Sequence, residues 1–477
     1  MTKDKDFKDL VHARAAETGE KYTAARERML EEGAEEGTPR RIFGLESRYV
    51  ADVDFGEART VSPDEANRHL FRRTALWDGA VNRYLANGSR LYLATEHVVE
   101  YATPESVTAR EAVCHQRAGE RRLTQIRESA QQSLRADGVK AHFELLPTRS
   151  RDGGCHENYS AMREFPVDQV TRVLVPFLVT RQVVTGGGGI AETSEGRRFV
   201  LSPRLRRLAQ AVAGDEFTPR LVNVDASPHA DPHRFRRIHI DGGDVSRSEA
   251  TAVLKLAMTA LVLRVVEDGS GALGDLTLDD PIEAVGRVGL DPTCKATIRL
   301  RSGEVMTAVD VQEAVLGAVR SHVSAAGATN EERRAVSQWQ ETLDGLRSDV
   351  SLLADSVEWI ARLQRLSEEF GDLSLTEASH LDRSLDLTGY SEETFAAHQV
   401  FSEAEVDAAL RLAPRSTRAF ARGRFINACL KAGKSYTVDW SHLKLSDEAN
   451  RTLILKDPFA ADDPVVARYL DYVEGAT

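Results

Sequence analysis

The chain has 477 residues, with 62 basic and 74 acidic side chains and a formal charge of −12. That length is roughly two to three times a typical domain. With 42% hydrophobic and 29% charged residues the composition is globular, and the acidic balance argues against a general nucleic-acid or anionic-membrane binder. Four cysteines, Cys114, Cys155, Cys294 and Cys429, lie far apart with no CxxC pair and no zinc spacing, which is reduced, cytosolic usage. The opening MTKDKDFKDL has no apolar core of the kind a secretory signal needs. The most apolar stretch, Val253 to Val266, is interrupted by Lys255 and Arg264 and is too short to span a bilayer. A soluble cytoplasmic protein without nucleic-acid or membrane partners is expected.

In chain order, Phe7, Leu10, Val11 and Ala15, then Tyr22, Ala25 and Met29, recur at helical spacing and predict a helical arm over 6–32. The polar run Gly33 to Arg40 reads as a linker. The β-branched and apolar character from Arg41 onward predicts a strand. Ser62-Pro63-Asp64-Glu65 then opens a helix, with Ser62 as cap, Pro63 at the first position and Glu65 as capping-box partner. Further strands are expected at Arg90–Leu93, His142–Leu146, Arg198–Leu201 and Arg237–Ile240. Helices are expected at Ser106–Ala136, Val170–Val183 and Ser248–Glu267, and helical chain from Gln312 to Leu366. The four glycines at 186–189 lack the spacing of a phosphate-binding loop and read as a flexible turn. Beyond Pro414 a helix carrying Arg422 to Phe425 and a compact tail suggest a small C-terminal domain. The expected organisation is 1–37 arm and linker, 38–413 main domain and 414–477 C-terminal domain.

Three clusters invite a chemical reading. Glu46 lies on the opening strand with Arg48 two residues on, hence on the same face. Tyr92, Glu100 and Glu105 form a second group, and His156, His229 and His239 a dispersed third. Carboxylates and histidines on strands are what a hard-cation site for nucleotide phosphates needs, because Mg²⁺ takes oxygen ligands and bridges to phosphate. Ion-paired glutamates and interior histidines with satisfied hydrogen bonds explain the same residues without chemistry. Of the arginine runs, 204–207 reads as a solvated basic face, whereas the run 234–237 precedes an alternating strand and can turn Arg237 inward as a phosphate clamp. Cys155 beside His156 has no orienting partner and reads as a small buried side chain.

RRIFGLESRY, SPDEANRHLFRR, NGSRLYLA with EYATPE, GCHENY, PFLVTRQ, PHAD with RRIHI, and TVDWSHLKL with LKDPF stand in this order between about residues 40 and 470. Together they resemble the Pup ligase and depupylase family, in its ligase branch; the arm before Arg40 lies outside the resemblance. The resemblance implies an α+β, glutamine-synthetase-like carboxylate–amine ligase fold, with a large antiparallel sheet and helices. It also implies ATP and Mg as cofactors and Pup or a Pup-like tag as partner. In that family a glutamate carboxylate of the tag is phosphorylated and a lysine amine then displaces the phosphate, with magnesium neutralising charge and an aspartate acting as base. Position by position, the resemblance makes Glu46, Glu100, His156 and His229 metal ligands or neighbours of the nucleotide site. Arg237 and His239 match its Arg-x-His strand.

The departures are as specific. The family's second glutamate is Arg48 here, its catalytic aspartate is Ala94, and the segment usually Asn-Thr-Arg-Asp-Glu-Pro-His is Asn223 to His229 with three charged groups replaced. An asparagine expected after Asp244 is Ser246. Losing a positioned base costs roughly 10²–10⁴-fold in rate. Turning a carboxylate into a guanidinium changes the local charge by two units, each worth about 4 kcal/mol at ~4 Å for an effective dielectric near 20. Either one ion is gone or Arg48 takes its place as a phosphate clamp, and Glu96, two residues after Ala94, is the candidate replacement base. The expected function is a scaffold or regulator that binds ATP and the tag with impaired ligation. An active Pup–protein isopeptide ligase and another phosphoryl or nucleotidyl transferase remain the alternatives. The arm is expected to dock a partner. Removing residues 1–37 should therefore leave ATP affinity unchanged by calorimetry, and a large loss refutes the docking role.

Overall fold

A computed structural model describes residues 40–474 except 56–61, 73–80, 95–97, 141, 148–153, 194–195, 213–218, 226–228, 270, 272, 371–397, 448–450 and 462–463, together with residues 12, 15 and 22. The expected arm lies almost wholly outside the described residues, and so does Glu96. Two compact units divide the chain. One gathers Met1–Leu146, Ser227–Phe235 and Phe401–Thr477, the other Pro147–Ala226 and Arg236–Val400.

The first unit opens with β1 (Phe43–Asp54), α1 (Pro63–Phe71), β2 (Asn82–Tyr84), β3 (Arg90–Leu93), β4 (Val99–Ala102), α2 (Ala109–Ala136) and β5 (His142–Pro147). β2, β3, β4 and β1 follow one another as antiparallel neighbours, and β5 pairs with β1. Strict alternation along β1 buries Leu45, Ser47, Tyr49 and Ala51 while Glu46 and Arg48 face the other way. The buried side packs with Leu70 and Phe71 of α1 and with Leu123 and Ile126 of α2. Gln116 on α2 donates to Ser47 Oγ at 2.7 Å, and Gly119 admits the Tyr101 ring, which a Cβ would meet at 2.3 Å. α2 starts three residues later than its periodicity suggests. Ser106 is held extended by mutual backbone bonds with Phe43 (2.8 and 3.1 Å), and Thr108 caps the helix by accepting from Glu111 N. Ser62 caps α1 as expected, accepting from Glu65 N.

The second unit contains β6 (Cys155–Met162), α3 (Val175–Thr180), α4 (Gln182–Thr185), β7 (Gly189–Thr193), β8 (Gly196–Val200), β9 (Gln210–Val212), β10 (Arg220–Asp225), β11 (Phe235–Gly243), α5 (Glu249–Asp268) and α6 (Pro281–Gly289). The hairpin β12 (Thr297–Arg299) and β13 (Val305–Thr307) follows, then α7 (Ala308–Ala326), α8 (Asn330–Ser348) and α9 (Glu358–Phe370). The strand order is β6-β11-β10-β9, antiparallel between β10 and β11 but parallel between β9 and β10. The helix expected over 170–183 is three pieces, a π-turn at Val170–Leu174 and then α3 and α4. Pro176 has no N–H to give the Arg172 carbonyl, which accepts instead from Leu276 N at 3.0 Å. Capping boxes at Thr307 and Thr329 start α7 and α8. The 186–189 turn is buried rather than flexible. Gly187 N donates to Asp244 Oδ2, and Gly188, at φ +64°, packs so closely on Trp359 that a Cβ would lie 2.8 Å from its Cα.

The chain returns to the first unit with α10 (Glu403–Arg411), α11 (Arg418–Lys431), the antiparallel strands β14 (Tyr436–Val438), β15 (His442–Leu445) and β16 (Thr452–Ile454), and α12 (Pro464–Glu474). Phe425, Cys429, Leu443 and Leu470 form an apolar centre here. Glu105, grouped by sequence with Tyr92 and Glu100, is structural instead. Its buried carboxylate accepts from Arg418 Nε at 2.8 Å and from both terminal nitrogens of Arg422. Arg422 in turn donates to Gly88 O and Trp440 O, and Gly423 lets α11 approach Ala86, whose carbonyl a Cβ would meet at 2.2 Å. Burial pushes the Glu105 pKa up, but the two guanidiniums outweigh it and hold it at about 2. A drop from 4.5 to about 2 is worth about 3 kcal/mol of stability, complete above pH 4.5 and lost as the pH falls toward 2. Glu105→Gln leaves two buried cations uncompensated and should cost about 3–5 kcal/mol at pH 7 in urea unfolding, with a flatter acid limb between pH 4.5 and 2 than the parent.

Candidate functional site

In the first unit the face of β1 opposite the core carries the acidic candidates. Register aligns Arg48, Glu100 and Tyr92 in one row across β1, β4 and β3, and Glu46, Ala102 and Arg90 in the next. Arg48 Nε donates to Glu100 Oε2 at 2.8 Å, and Tyr92 Oη donates to Glu100 Oε1. Glu100 is 1% exposed, so both oxygens of a buried carboxylate are engaged from opposite sides. The Arg90 guanidinium stacks over the Tyr92 ring, 4.0 Å from its centroid. Burial raises the Tyr92 pKa far above the usual phenol range, and the Glu46 and Glu100 charges raise it further. Tyr92 is therefore a neutral, permanent donor to Glu100.

Ala94 N donates to Val98 O at 2.8 Å, which extends the β3–β4 ladder by one pair. Since Leu91 and Leu93 turn to the core, alternation sets Ala94 on the same face as Tyr92 and Glu100. No proton-accepting side chain stands at that position.

In the second unit β6 has two distinct faces. On one, Glu157 receives two parallel bonds from Arg181 (2.6 and 2.9 Å) and a third from Tyr159 Oη at 2.6 Å, all buried. On the other, His156 and Asn158 meet β11. The His156 and His239 rings pack edge to face with centroids 5.1 Å apart. His156 Nε2 lies 2.7 Å from Asp241 Oδ1, and His239 Nδ1 lies 2.9 Å from Asn158 Oδ1. Arg204 reaches the same Asp241, with its Nε on the Asp241 carbonyl at 2.9 Å and its Nη2 on Oδ1. Burial raises the Asp241 pKa, but His156 and Arg204 outweigh it and hold the carboxyl well below its usual range. Arg237 shares a strand face with His239 and Asp241 and stands opposite Asp225 on β10.

The structure thus brings His156 and His239 together, as it does Glu46, Arg48 and Glu100. His229 is exposed on a turn with φ 53° in the first unit. The run 204–207 is not simply a solvated face, because Arg204 is 7% exposed and paired with Asp241. Asp241, Asn158 and Arg204 were not singled out from sequence. The first two lie two residues from His239 and His156, so strand periodicity already placed them on the histidine face. Cys155 is buried, at 1% exposed.

Comparison with known proteins decides the family. The Pup-ligase protein family matches residues 10–444. The chain belongs to the Pup-ligase family. It is 36% identical to the Pup–protein ligase of Acidimicrobium ferrooxidans over 448 residues, 90% of this chain and 98% of that one. To the Pup–protein ligase of Kineococcus radiotolerans it is 37% identical over 450 residues, covering 91% and 99%. Its fold is similar to that of the ligase PafA in a crystal structure of its complex with the prokaryotic ubiquitin-like protein Pup (TM-score 0.83, 26% identity, 91% of this chain and 92% of that chain). It is also similar to PafA in complex with ADP (TM-score 0.77, 26% identity, 89% and 97%). The glutamine-synthetase-like α+β fold expected from the motifs is therefore the fold of this Pup-ligase homologue. One expectation changes. The family match begins at residue 10, so much of the segment before Arg40 belongs to the resemblance after all.

Tyr92→Phe removes the donor to a buried carboxylate while keeping the ring. A charge-assisted bond of this kind contributes about 1.5–3 kcal/mol, so a loss of that size is expected in urea unfolding at pH 7. An unchanged midpoint contradicts the role given to the phenol.

Proposed function

We propose that this Pup-ligase homologue keeps recognition and has lost efficient conjugation, so that it acts as a scaffold or regulator binding ATP with a divalent ion and Pup or a Pup-like tag. The observation that carries the reading is Ala94. Conjugation needs a base for the incoming amine, and the position on the Tyr92 face that the family resemblance gives to an aspartate bears only a methyl group. Placement is not enough for this chemistry, because the amine must lose a proton as it attacks. The replacement base suggested by sequence, Glu96, lies outside the described residues.

Support for retained nucleotide binding comes from the second unit and from the relative seen with ADP. His156 and His239 each have one ring nitrogen close to a fixed oxygen, the Asp241 carboxylate or the Asn158 amide, the outer-shell support that metal-ligating imidazoles usually have. Their donor atoms lie within 4.8 Å of each other, close enough for both imidazoles to stand at one bound ion and its phosphate. In the second unit His156 is the proposed metal ligand, with Arg237 and His239 the proposed phosphate contacts; Glu46 and His229, in the first unit, are proposed as metal ligands from the resemblance. Glu100 and Arg48, expected in the same roles, are engaged with each other. When bound, the ion would neutralise phosphate charge, while Arg237 and the imidazoles orient the nucleotide. The relative seen with Pup supports the tag as partner. No helix among the described residues is long and apolar enough to cross a membrane, in keeping with the proposed cytoplasmic setting.

Purified protein with ATP, Mg²⁺, Pup ending in glutamate and a lysine-bearing acceptor should bind ATP by calorimetry yet form the lysine conjugate at least 10²-fold more slowly than a relative bearing the aspartate. Pup-dependent ADP formation at the relative's rate, with a lysine conjugate on a gel, overturns the proposal. Ala94→Asp run beside it tests whether restoring the base alone revives conjugation.

A further inference from the structure

We propose that the Arg48 guanidinium is a tethered cation that takes the place of an inorganic divalent ion on Glu100, so that Glu100 binds no such ion. A buried ionised carboxylate needs compensating charge. A hard ion supplies it by taking carboxylate oxygens and keeping several waters. Here the compensation is covalently attached: Arg48 stands directly opposite Glu100 in the antiparallel register and donates Nε to Oε2 at 2.8 Å. Tyr92, opposite Glu100 from the other side, takes Oε1. An ion arriving at Glu100 must displace a short hydrogen bond on each side and sit beside a positive charge it cannot expel. Arg90, fixed over the Tyr92 ring at 4.0 Å, adds a second guanidinium to the same face.

The consequence is a difference in how binding responds to conditions. A divalent ion leaves when chelated or diluted, and a side chain does not, so the charge compensation of Glu100 is constant across divalent-ion concentrations. Glu46, two residues from Arg48 on the same strand face, keeps its carboxylate beside this internal pair. Arg48→Glu would set a third carboxylate on that face, opposite Glu100 and beside Glu46, in place of a closed ion pair.

Mn²⁺ binding counted by electron paramagnetic resonance, without nucleotide, tests this separately from the ATP reading. The parent protein and Glu100→Gln should bind the same number of ions with the same affinity. R48E should gain one ion per chain, and R48E/E100Q should lose it. A several-fold weaker or missing Mn²⁺ in the E100Q single variant means that an inorganic ion already uses Glu100, and overturns the proposal. A folded R48E that gains no ion does so equally. If R48E does not fold, Arg48→Ala carries the test through its melting temperature. Millimolar Mn²⁺ should raise that of R48A more than that of the parent, and equal shifts in the two proteins refute the tethered cation.

Discussion

The arrangement of the second unit depends on the ion pair between Glu157 and Arg181, closed by two parallel hydrogen bonds where water does not reach. Burial alone would push the Glu157 carboxyl up, but Arg181, Lys255 and Tyr159 hold it below its ordinary value. Tyr159 and Thr259 complete the set. A buried charge without its partner is costly enough to forbid a register in which Glu157 turns to the other face. This commits β6 to one phase of its pleat, and the opposite phase then delivers His156 and Asn158 together to the face they share with His239 and Asp241. Gly243 makes the close approach possible, since a Cβ there would meet Cys155 O at 2.5 Å.

The first unit uses the same device with a different outcome. Glu105, Arg418 and Arg422 join the loop after β4 to α11 across more than 300 residues of sequence. Three of the segments that carry the family resemblance, around Gly88, Glu105 and Trp440, meet here because each accepts a hydrogen bond from Arg422. On the neighbouring face Arg48 and Glu100 form a pair from residues that sequence assigned separate tasks, a phosphate clamp and a metal ligand. A guanidinium two residues from Glu46 turns to the nearest buried carboxylate, and cross-strand register supplies one directly opposite.

Much of the site was legible because strand alternation is a short-range rule. Glu46 and Arg48 share a face because they are two apart, and Arg237 and His239 do so for the same reason. Caps were legible as well, as Ser62 shows. What escaped was partnership across strands and between distant segments. Glu105 looked like Glu100, an acidic residue in the same short stretch, because no local pattern tells a carboxylate facing solvent from one facing two arginines of α11. Arg204 looked like its neighbours Arg206 and Arg207, although it alone of the three reaches Asp241.

By itself the sequence determined the family, the α+β fold, several of its strands and helices in chain order, and an alanine at position 94. These are properties of residue identity and of periods two and 3.6, which need no knowledge of what lies across the sheet. Tertiary structure decided which charges are structural and which remain for chemistry. It gave Glu105 to α11, Glu157 to Arg181, Glu100 to Arg48 and Tyr92, and Asp241 to His156. The reason is that the cost of a buried charge is set by its neighbours in space, and register and long-range packing bring those neighbours together.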